Sequence, residues 1–233
     1  EMNFPDGFSE IIPIDSDVNV AKEIENFSNQ FETEKSDFKF ITQGLFGYLA
    51  YDAIQYFEKV SIAKKSIENE IPEIFYAVYQ NIIAINHFKE EMHLFEHTYT
   101  REGEAPKPLE NGLETLEIFV KSPRLSTGSF AVVGEEASNL TDDRMREIIL
   151  QCQKHCLRGD VFQIVPSRRF SLAFDGDDFN VYRALRSINP SPYLFYFDGG
   201  DYHIFGSSPE KQIYIQDGRA EIHPIAGTFR RTG

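Results

Sequence analysis

Phe75-Tyr-Ala-Val-Tyr-Gln-Asn-Ile-Ile-Ala-Ile-Asn-His-Phe88 is followed by Lys89-Glu-Glu91 and then by Met92-His-Leu-Phe-Glu-His-Thr98. The first run is rich in Tyr, Val and Ile, the middle is short and charged, and the last run alternates back. That pattern predicts a long strand, a turn and a returning strand, an antiparallel hairpin. Upstream, Phe38 to Ala53 is apolar on both alternating faces, which predicts a central strand. Gly44 and Gly47 within it predict a bulge or a close backbone approach. Ile54 to Lys59 is expected to leave that strand as a helical turn, and Ile24, Phe27 and Phe31 give Val20 to Phe31 an amphipathic helical spacing.

Arg101 to Leu109 contains Gly, Lys, Glu and two prolines and reads as a linker, with a helix from Leu109 to Val120 after it. The chain is expected to divide into residues 1–125 and 126–233. In the second part, Thr141-Asp142-Asp143 is a helix start, with a capping hydroxyl and two carboxylates at the positive end of the dipole. Met145, Ile148, Ile149, Cys152 and Cys156 follow at spacings of three and four, and Gly159 closes the helix. Val161 to Phe174 reads as a strand edged by Pro166, and Asp178 to Ile188 as a second helix. Strands are expected at Tyr193–Phe197, His203–Phe205 and Gln212–Ile215, with a turn at Asp217-Gly218 before Arg219–His223. Antiparallel strands with a few helices define an α+β fold rather than a doubly wound parallel sheet.

The 233 residues include 41% hydrophobic side chains, 21 Phe and 11 Tyr, enough for a sizeable core. With 37 acidic against 23 basic residues the formal charge is −14, which disfavours nucleic acid and anionic membrane as partners. It does not disfavour a small anion held by a local basic cluster, because fields are screened within about 8 Å. The longest apolar runs are far shorter than the roughly 20 residues a membrane span needs, and the chain carries no basic-then-apolar leader, so a cytoplasmic protein is expected. Cys152 and Cys156 could face one side of a helix as metal ligands, yet no partner pair follows at metal-binding spacing; two helix thiols are the simpler reading. His87, His93 and His97 around the hairpin read as surface or half-buried side chains.

Three segments invite chemistry. Arg168 and Arg169 lie in Gly159-Asp-Val-Phe-Gln-Ile-Val-Pro-Ser-Arg-Arg-Phe170, and adjacent residues of an extended chain face opposite ways. One arginine therefore points inward, toward a carboxylate of the protein or toward an anionic ligand. Asn189-Pro-Ser-Pro-Tyr-Leu-Phe-Tyr-Phe197 is either a stiff pocket wall or a turn leading into a core strand. Gly206-Ser-Ser-Pro-Glu210 and His223-Pro-Ile-Ala-Gly-Thr-Phe-Arg-Arg-Thr-Gly233 bring small residues, a hydroxyl and positive charge near the end of a strand. Small residues there let backbone N–H groups approach a carboxylate or hydroxyl. Nucleotide-binding, serine-hydrolase and zinc-protease signatures are all missing from the chain. On residue chemistry alone this is a cleft-bearing α+β protein suited to a carboxylate-rich small molecule.

Five blocks in order carry a resemblance: Gly44-Leu-Phe-Gly-Tyr-Leu-Ala-Tyr-Asp52 with Tyr56-Phe-Glu58, Gly159 to Phe170, Asn189 to Tyr196, Gly206 to Glu210, and Pro224 to Thr228. Together they resemble the component I family of anthranilate synthases among the chorismate-utilising enzymes. The resemblance implies a layered α/β arrangement of antiparallel sheets. It also implies conversion of chorismate and ammonia to anthranilate and pyruvate, with ammonia from a glutamine amidotransferase partner and Mg²⁺ anchoring a substrate carboxylate. It places Gly227 and Thr228 against chorismate, and Pro192, Tyr193 and Leu194 in the wall of a feedback site for L-tryptophan. Leu194 stands where many relatives have Met. The family's metal-binding glutamates, catalytic histidine and remaining substrate contacts are expected beyond residue 233, and its other effector motif before residue 1. On that reading the catalytic residues and metal ligands are not in this chain, which is expected to be inactive by itself. The sister enzyme, aminodeoxychorismate synthase component I, carries a nucleophilic lysine where this chain has Ala226. That enzyme and a non-catalytic binding fragment are the alternative readings.

Overall fold

The structure is a computed structural model that describes every residue except 5, 6, 16, 17, 35, 39, 63–70, 106–111, 123–127, 226 and 228–233. The chain forms two compact units, Glu1–Arg124 and Leu125–Gly233. Helices and small sheets are mixed in both, and every strand pairing among the described residues is antiparallel. The fold class is α+β.

The first unit opens with a short pair, β1 (Met2–Asn3) and β2 (Ser9–Glu10). Helix α1 (Val20–Ser28) starts where the Asn19 carboxamide oxygen accepts from the Lys22 N–H at 3.0 Å, satisfying one of the orphan donors of the first turn. Its Phe27 packs against Phe4 and Phe31, with ring centroids 5.4 and 5.1 Å away.

The apolar run from Phe38 to Ala53 is not one central strand. Only β3 (Leu45–Leu49) is strand, and among the described strands it pairs with β4 (Ile74–Val78) alone. Two backbone features end it. Gly44 sits at φ 135°, a conformation that side chains resist. After Leu49 the chain tightens into a 3-10 turn, Tyr51–Tyr56, that begins earlier than the helical turn expected from Ile54. Ala53 in this turn is buried, as is Val20, and Thr42 is the buried polar residue of the described set. The Tyr56 hydroxyl donates to Glu73 Oε2 at 2.5 Å and ties the turn back to the start of β4. That bond to a carboxylate, with burial adding to it, pushes the Tyr56 phenol up to about 12.

The long strand expected from Phe75 to Phe88 is divided. Its first half is β4, paired with β3; its second half is β5 (Asn81–Asn86), paired with β6 (Glu91–Glu96). One apolar run thus serves two partners, and the chain changes from one to the other at Tyr79-Gln80. Glu90, at φ 56°, closes the β5–β6 turn. The hairpin histidines are exposed at His87 and half-buried at His93 and His97, and His97 Nε2–H donates to the Thr42 carbonyl at 2.8 Å. Helix α2 (Gly112–Lys121) packs on β6; its expected start at Leu109 lies outside the described residues.

In the second unit β7 (Phe130–Ser138) pairs with β8 (Phe170–Gly176). The alternation of β7 is broken by Gly134-Glu135-Glu136. There the register shifts between Val133 and Ala137 while Gly134 takes φ 88°. β8 begins at Phe170 rather than Val161. Before it, Asn139 takes the place of a ladder partner: its side-chain oxygen accepts from Arg169 N–H at 2.9 Å and its own N–H donates to the Arg169 carbonyl at 3.2 Å. Helix α3 (Asp142–Arg158) is capped by Thr141, whose hydroxyl accepts from Arg144 N–H at 3.2 Å, and ends at Gly159 with φ 82°. Helix α4 (Phe179–Ile188) leads to the hairpin of β9 (Tyr193–Asp198) and β10 (His203–Ser208). The last pair is β11 (Tyr214–Gln216) and β12 (Arg219–Glu221), joined by Asp217 and Gly218 at φ 52° and 74°. Two central residues at positive φ make the turn expected there a type I′ turn.

Gly47 gives the sharpest test of the first unit. A Cβ added there would lie 1.8 Å from the Phe75 carbonyl oxygen across the β3–β4 ladder, against backbone that has no freedom to move aside. Gly47→Ala is expected to destabilise the chain by about 2 kcal/mol, within the range for overpacking. Urea unfolding followed by tyrosine fluorescence measures it, and an unchanged midpoint would contradict the pairing.

Candidate functional site

The second unit contains a cavity of about 410 Å³ whose walls come from three separate sequence blocks. Pro192 and Tyr193 supply one wall, Pro209 and Lys211 another, and His223, Pro224 and Ile225 the third. Its size falls within the range of small-molecule sites. The walls are apolar and stiff, and two cationic or titratable heads stand among them. The Lys211 ammonium lies 4.4 Å from the centre of the Tyr214 ring, and His223 Nε2 lies 3.5 Å from Glu221 Oε2.

The first wall is rigid for reasons visible in the sequence. Pro190 and Pro192 fix φ on either side of Ser191 and bias the residues before them away from the helical region. Ser207 of β10 then anchors the turn: its hydroxyl donates to the Asn189 carbonyl at 2.5 Å and accepts from the Ser191 N–H at 3.3 Å. Tyr193 opposes Ser208 and Leu194 opposes Ser207 in the ladder. Alternation along β9 puts Leu194 on the other face of the hairpin from Tyr193, with Tyr196. Pro192 and Tyr193 therefore line the cavity and Leu194 does not.

α4 lies against that other face. Phe179 meets Tyr196 edge-on at 5.0 Å, Tyr182 lies 5.4 Å from Tyr196 and 6.2 Å from Phe205, and Tyr196 stacks on Phe205 at 5.7 Å. The Tyr196 hydroxyl donates to Asp178 Oδ1 at 3.0 Å; burial and that carboxylate push the phenol up to about 12. On the outer face the Phe195 ring lies over Gly206, where a Cβ would come within 2.6 Å of it.

The sequence-predicted substrate residues are divided by what is described. Gly227 is exposed, with open space where a Cβ would stand, two residues beyond Ile225 of the cavity. Thr228, Ala226 and the Arg230-Arg231 pair lie outside the described residues. Of the two other arginines, Arg168 is half-buried and Arg169 exposed. Arg168 donates to Asp142 Oδ1 at 2.6 Å and to Ser138 Oγ at 2.7 Å and covers the Phe170 ring, 4.4 Å from its centre. It holds the Asp142 carboxyl below its ordinary range by hydrogen bonding and charge. Arg168 thus joins α3 to the strand ends, and the ion-pair reading of the two open ones applies.

Cys152 is half-buried, Cys156 is exposed, and both are free thiols. Among the described residues no group of three or more His, Cys, Asp or Glu side chains converges as a metal site. Nor is any described helix long and apolar enough to cross a membrane. A concave space of about 3480 Å³ in the first unit is several times too large for a small-ligand site.

Lys211 went unnoticed in the sequence because it follows immediately after the Gly206–Glu210 block, in a segment without periodicity. Asp178 read only as a helix start. Its second role depends on β9 and β10 folding back beside it, which no local pattern encodes.

The family model of chorismate binding enzymes matches residues 6–233, and the chain belongs to that family. Within it, the chain is similar to proteins named anthranilate synthase component 1. It is 32% identical over 235 residues to the protein from Bacillus subtilis, covering 91% of this chain and 44% of that one. It is 33% identical over 198 residues to a probable anthranilate synthase component 1 from Schizosaccharomyces pombe, covering 81% of this chain and 40% of that one. The crystal structure of anthranilate synthase component I from Streptococcus pneumoniae superposes with a TM-score of 0.64 at 26% identity, over 84% of this chain and 45% of that one. The chain thus spans less than half the length of these relatives.

Ser207 is the residue on which the Pro192–Tyr193 wall hangs. Ser207→Ala removes both turn contacts and is expected to cost about 1 kcal/mol. It should also raise amide exchange at Ser191 several-fold more than at the α3 amides. Equal exchange in the variant and the parent sequence would show that the prolines and the 2.8 Å bond from the Ser191 N–H to the Asn189 carbonyl hold the turn without Ser207.

Proposed function

We propose that this chain is the part of an anthranilate synthase component I that carries the feedback wall and one edge of the chorismate site. The observation that carries this reading is the convergence of Pro192 and Tyr193 with Pro224 and Ile225 on one cavity, in a chain of the chorismate binding family. In the reaction, ammonia forms a C–N bond to the chorismate ring as the ring hydroxyl leaves with a proton as water. The bond between the ring carbon and the enolpyruvyl oxygen then breaks as a ring proton is lost and the ring becomes aromatic, and the released enolpyruvate takes up a proton at its methylene carbon to become pyruvate.

The residues of this chain serve binding and orientation. Gly227, without a side chain, lets a substrate carboxylate approach its backbone N–H, and Thr228 would add a hydroxyl donor. Ala226 offers no nucleophile, which supports direct addition of ammonia over the covalent lysine route of aminodeoxychorismate synthase. The turn at Pro190 and Pro192 holds the Tyr193 ring for an apolar aromatic effector at low entropic cost, as suits L-tryptophan. Inhibition then follows from tryptophan favouring one state of the enzyme over another.

A glutamine amidotransferase would supply ammonia, and the enzyme would work in the cytoplasm. Among the described residues no group of three or more His, Cys, Asp or Glu converges that could hold the Mg²⁺ of this reading. When bound, Mg²⁺ would neutralise a substrate carboxylate as bonds rearrange.

One paired assay tests the reading. Anthranilate fluorescence with chorismate, Mg²⁺ and excess ammonium should appear with a full-length enzyme containing this chain and be absent with the 233 residues alone. In the full-length enzyme, Pro192→Ala and Tyr193→Ala should each weaken tryptophan inhibition by about tenfold or more, at least ~1.4 kcal/mol, with a modest loss of uninhibited rate. A full-length enzyme that makes no anthranilate would overturn the assigned reaction. Unchanged inhibition in both variants would move the effector site elsewhere.

A further inference from the structure

The carboxylate of Asp178 stands at the N-cap of α4 yet does not cap it. Its backbone is helical, at φ −71° and ψ −13°, and its side chain accepts no N–H of the first turn. The neighbouring Asp177 Oδ1 accepts from the Phe179 N–H instead, at 3.0 Å. Asp178 is turned toward the hairpin. Oδ1 takes the Tyr196 hydroxyl, and Oδ2 lies 2.8 Å from His203 Nδ1. The other ring nitrogen, His203 Nε2, lies 3.3 Å from Asp198 Oδ1 at the end of β9. The imidazole also packs on the Tyr196 ring at 5.3 Å.

A neutral imidazole has a single N–H, so it can serve one of these carboxylates while presenting a lone pair to the other. Only the imidazolium donates to both. The cluster therefore has a protonation state written into its geometry. We propose that Asp178, Asp198 and His203 form a proton-dependent clasp that holds the start of α4 on the β9–β10 hairpin, closed while His203 is protonated and loosened when it is neutral.

Among the described residues, the charged and titratable groups facing His203 are Asp178 before α4, Asp198 on β9 and the Tyr196 phenol beneath the ring. No cation stands among these partners. Consistent with that, the hydrogen bond to Asp178, ahead of the opposing effect of burial, raises the His203 pKa above its ordinary 6.5. A raised value in the folded state means that the clasp contributes fully below about 6.5. Its contribution is lost as pH rises through the folded-state value. Low pH eventually removes the partners as well, when the aspartates take up protons.

The clasp is independent of the effector reading, since it concerns the far end of the hairpin from Pro192 and Tyr193. If tryptophan proved to act elsewhere, the clasp would stand. NMR titration of the His203 Cε1–H resonance in the 233-residue chain tests it directly. The expected midpoint lies above 6.5, and Asp178→Asn should bring it back toward 6.5. Between about pH 6 and pH 8.5, exchange of β9 and β10 amides, corrected for intrinsic rate, should rise by about threefold, the size expected of a partly exposed ion pair. His203→Gln should abolish that rise. A wild-type midpoint at or below 6.5, or the same pH-dependent rise in His203→Gln, would overturn the clasp.

Discussion

The packing of α4 against the β9–β10 hairpin is the constraint on which the candidate site depends. Phe179 and Tyr182 of the helix meet Tyr196 and Phe205 of the hairpin in one aromatic cluster. Such pairs add about 0.5–1.5 kcal/mol each beyond the area they bury. With those rings on one face, alternation assigns Tyr193 to the other. Asn189 at the end of α4 is then within reach of Ser207, so the helix end and the hairpin jointly hold the Pro190–Pro192 turn. The cavity wall is a consequence of how one helix lies on two strands.

Few of the described residues are deeply buried. Val20 and Ala53 are the buried apolar residues of the described set, while Val132, Phe170 and Phe174 of the β7–β8 ribbon are half exposed or close to it. Isolated two-stranded ribbons are marginal in water. Order in the second unit therefore leans on local devices: the Thr141 and Gly159 caps of α3, the Arg168–Asp142 pair, and the aromatic contacts of α4.

The sequence made legible whatever is encoded locally. The caps of α3, the Asp217-Gly218 turn, the β9 and β10 strands and the antiparallel character of the fold all follow from residues within a few positions of one another. The misreadings have a common cause. Phe38–Ala53, Phe75–Phe88 and Val161–Phe174 are long stretches rich in apolar residues with polar ones scattered among them, and hydrophobicity alone cannot say where such a stretch changes partner or leaves a ladder. Gly44, the Tyr79-Gln80 change of partner and the Asn139–Arg169 contacts decide it, and two of those three are tertiary. β7 was hidden by the opposite effect, a glycine and two glutamates that interrupt alternation at a bulge. At the site, the stiff turn was legible through Pro190 and Pro192, whereas the opposite facing of Tyr193 and Leu194 becomes visible once β9 is paired with β10.

NOE spectroscopy on the aromatic ring protons of the isolated 233-residue chain tests the central claim most directly, that α4 and the hairpin by themselves fix the wall. The account predicts cross-peaks from Phe179 and Tyr182 to Tyr196 and from Tyr182 to Phe205, as their centroid separations of 5.0, 5.4 and 6.2 Å require. Helical α3 and α4 amides without any of those cross-peaks would contradict it, because the wall would then have no fixed support.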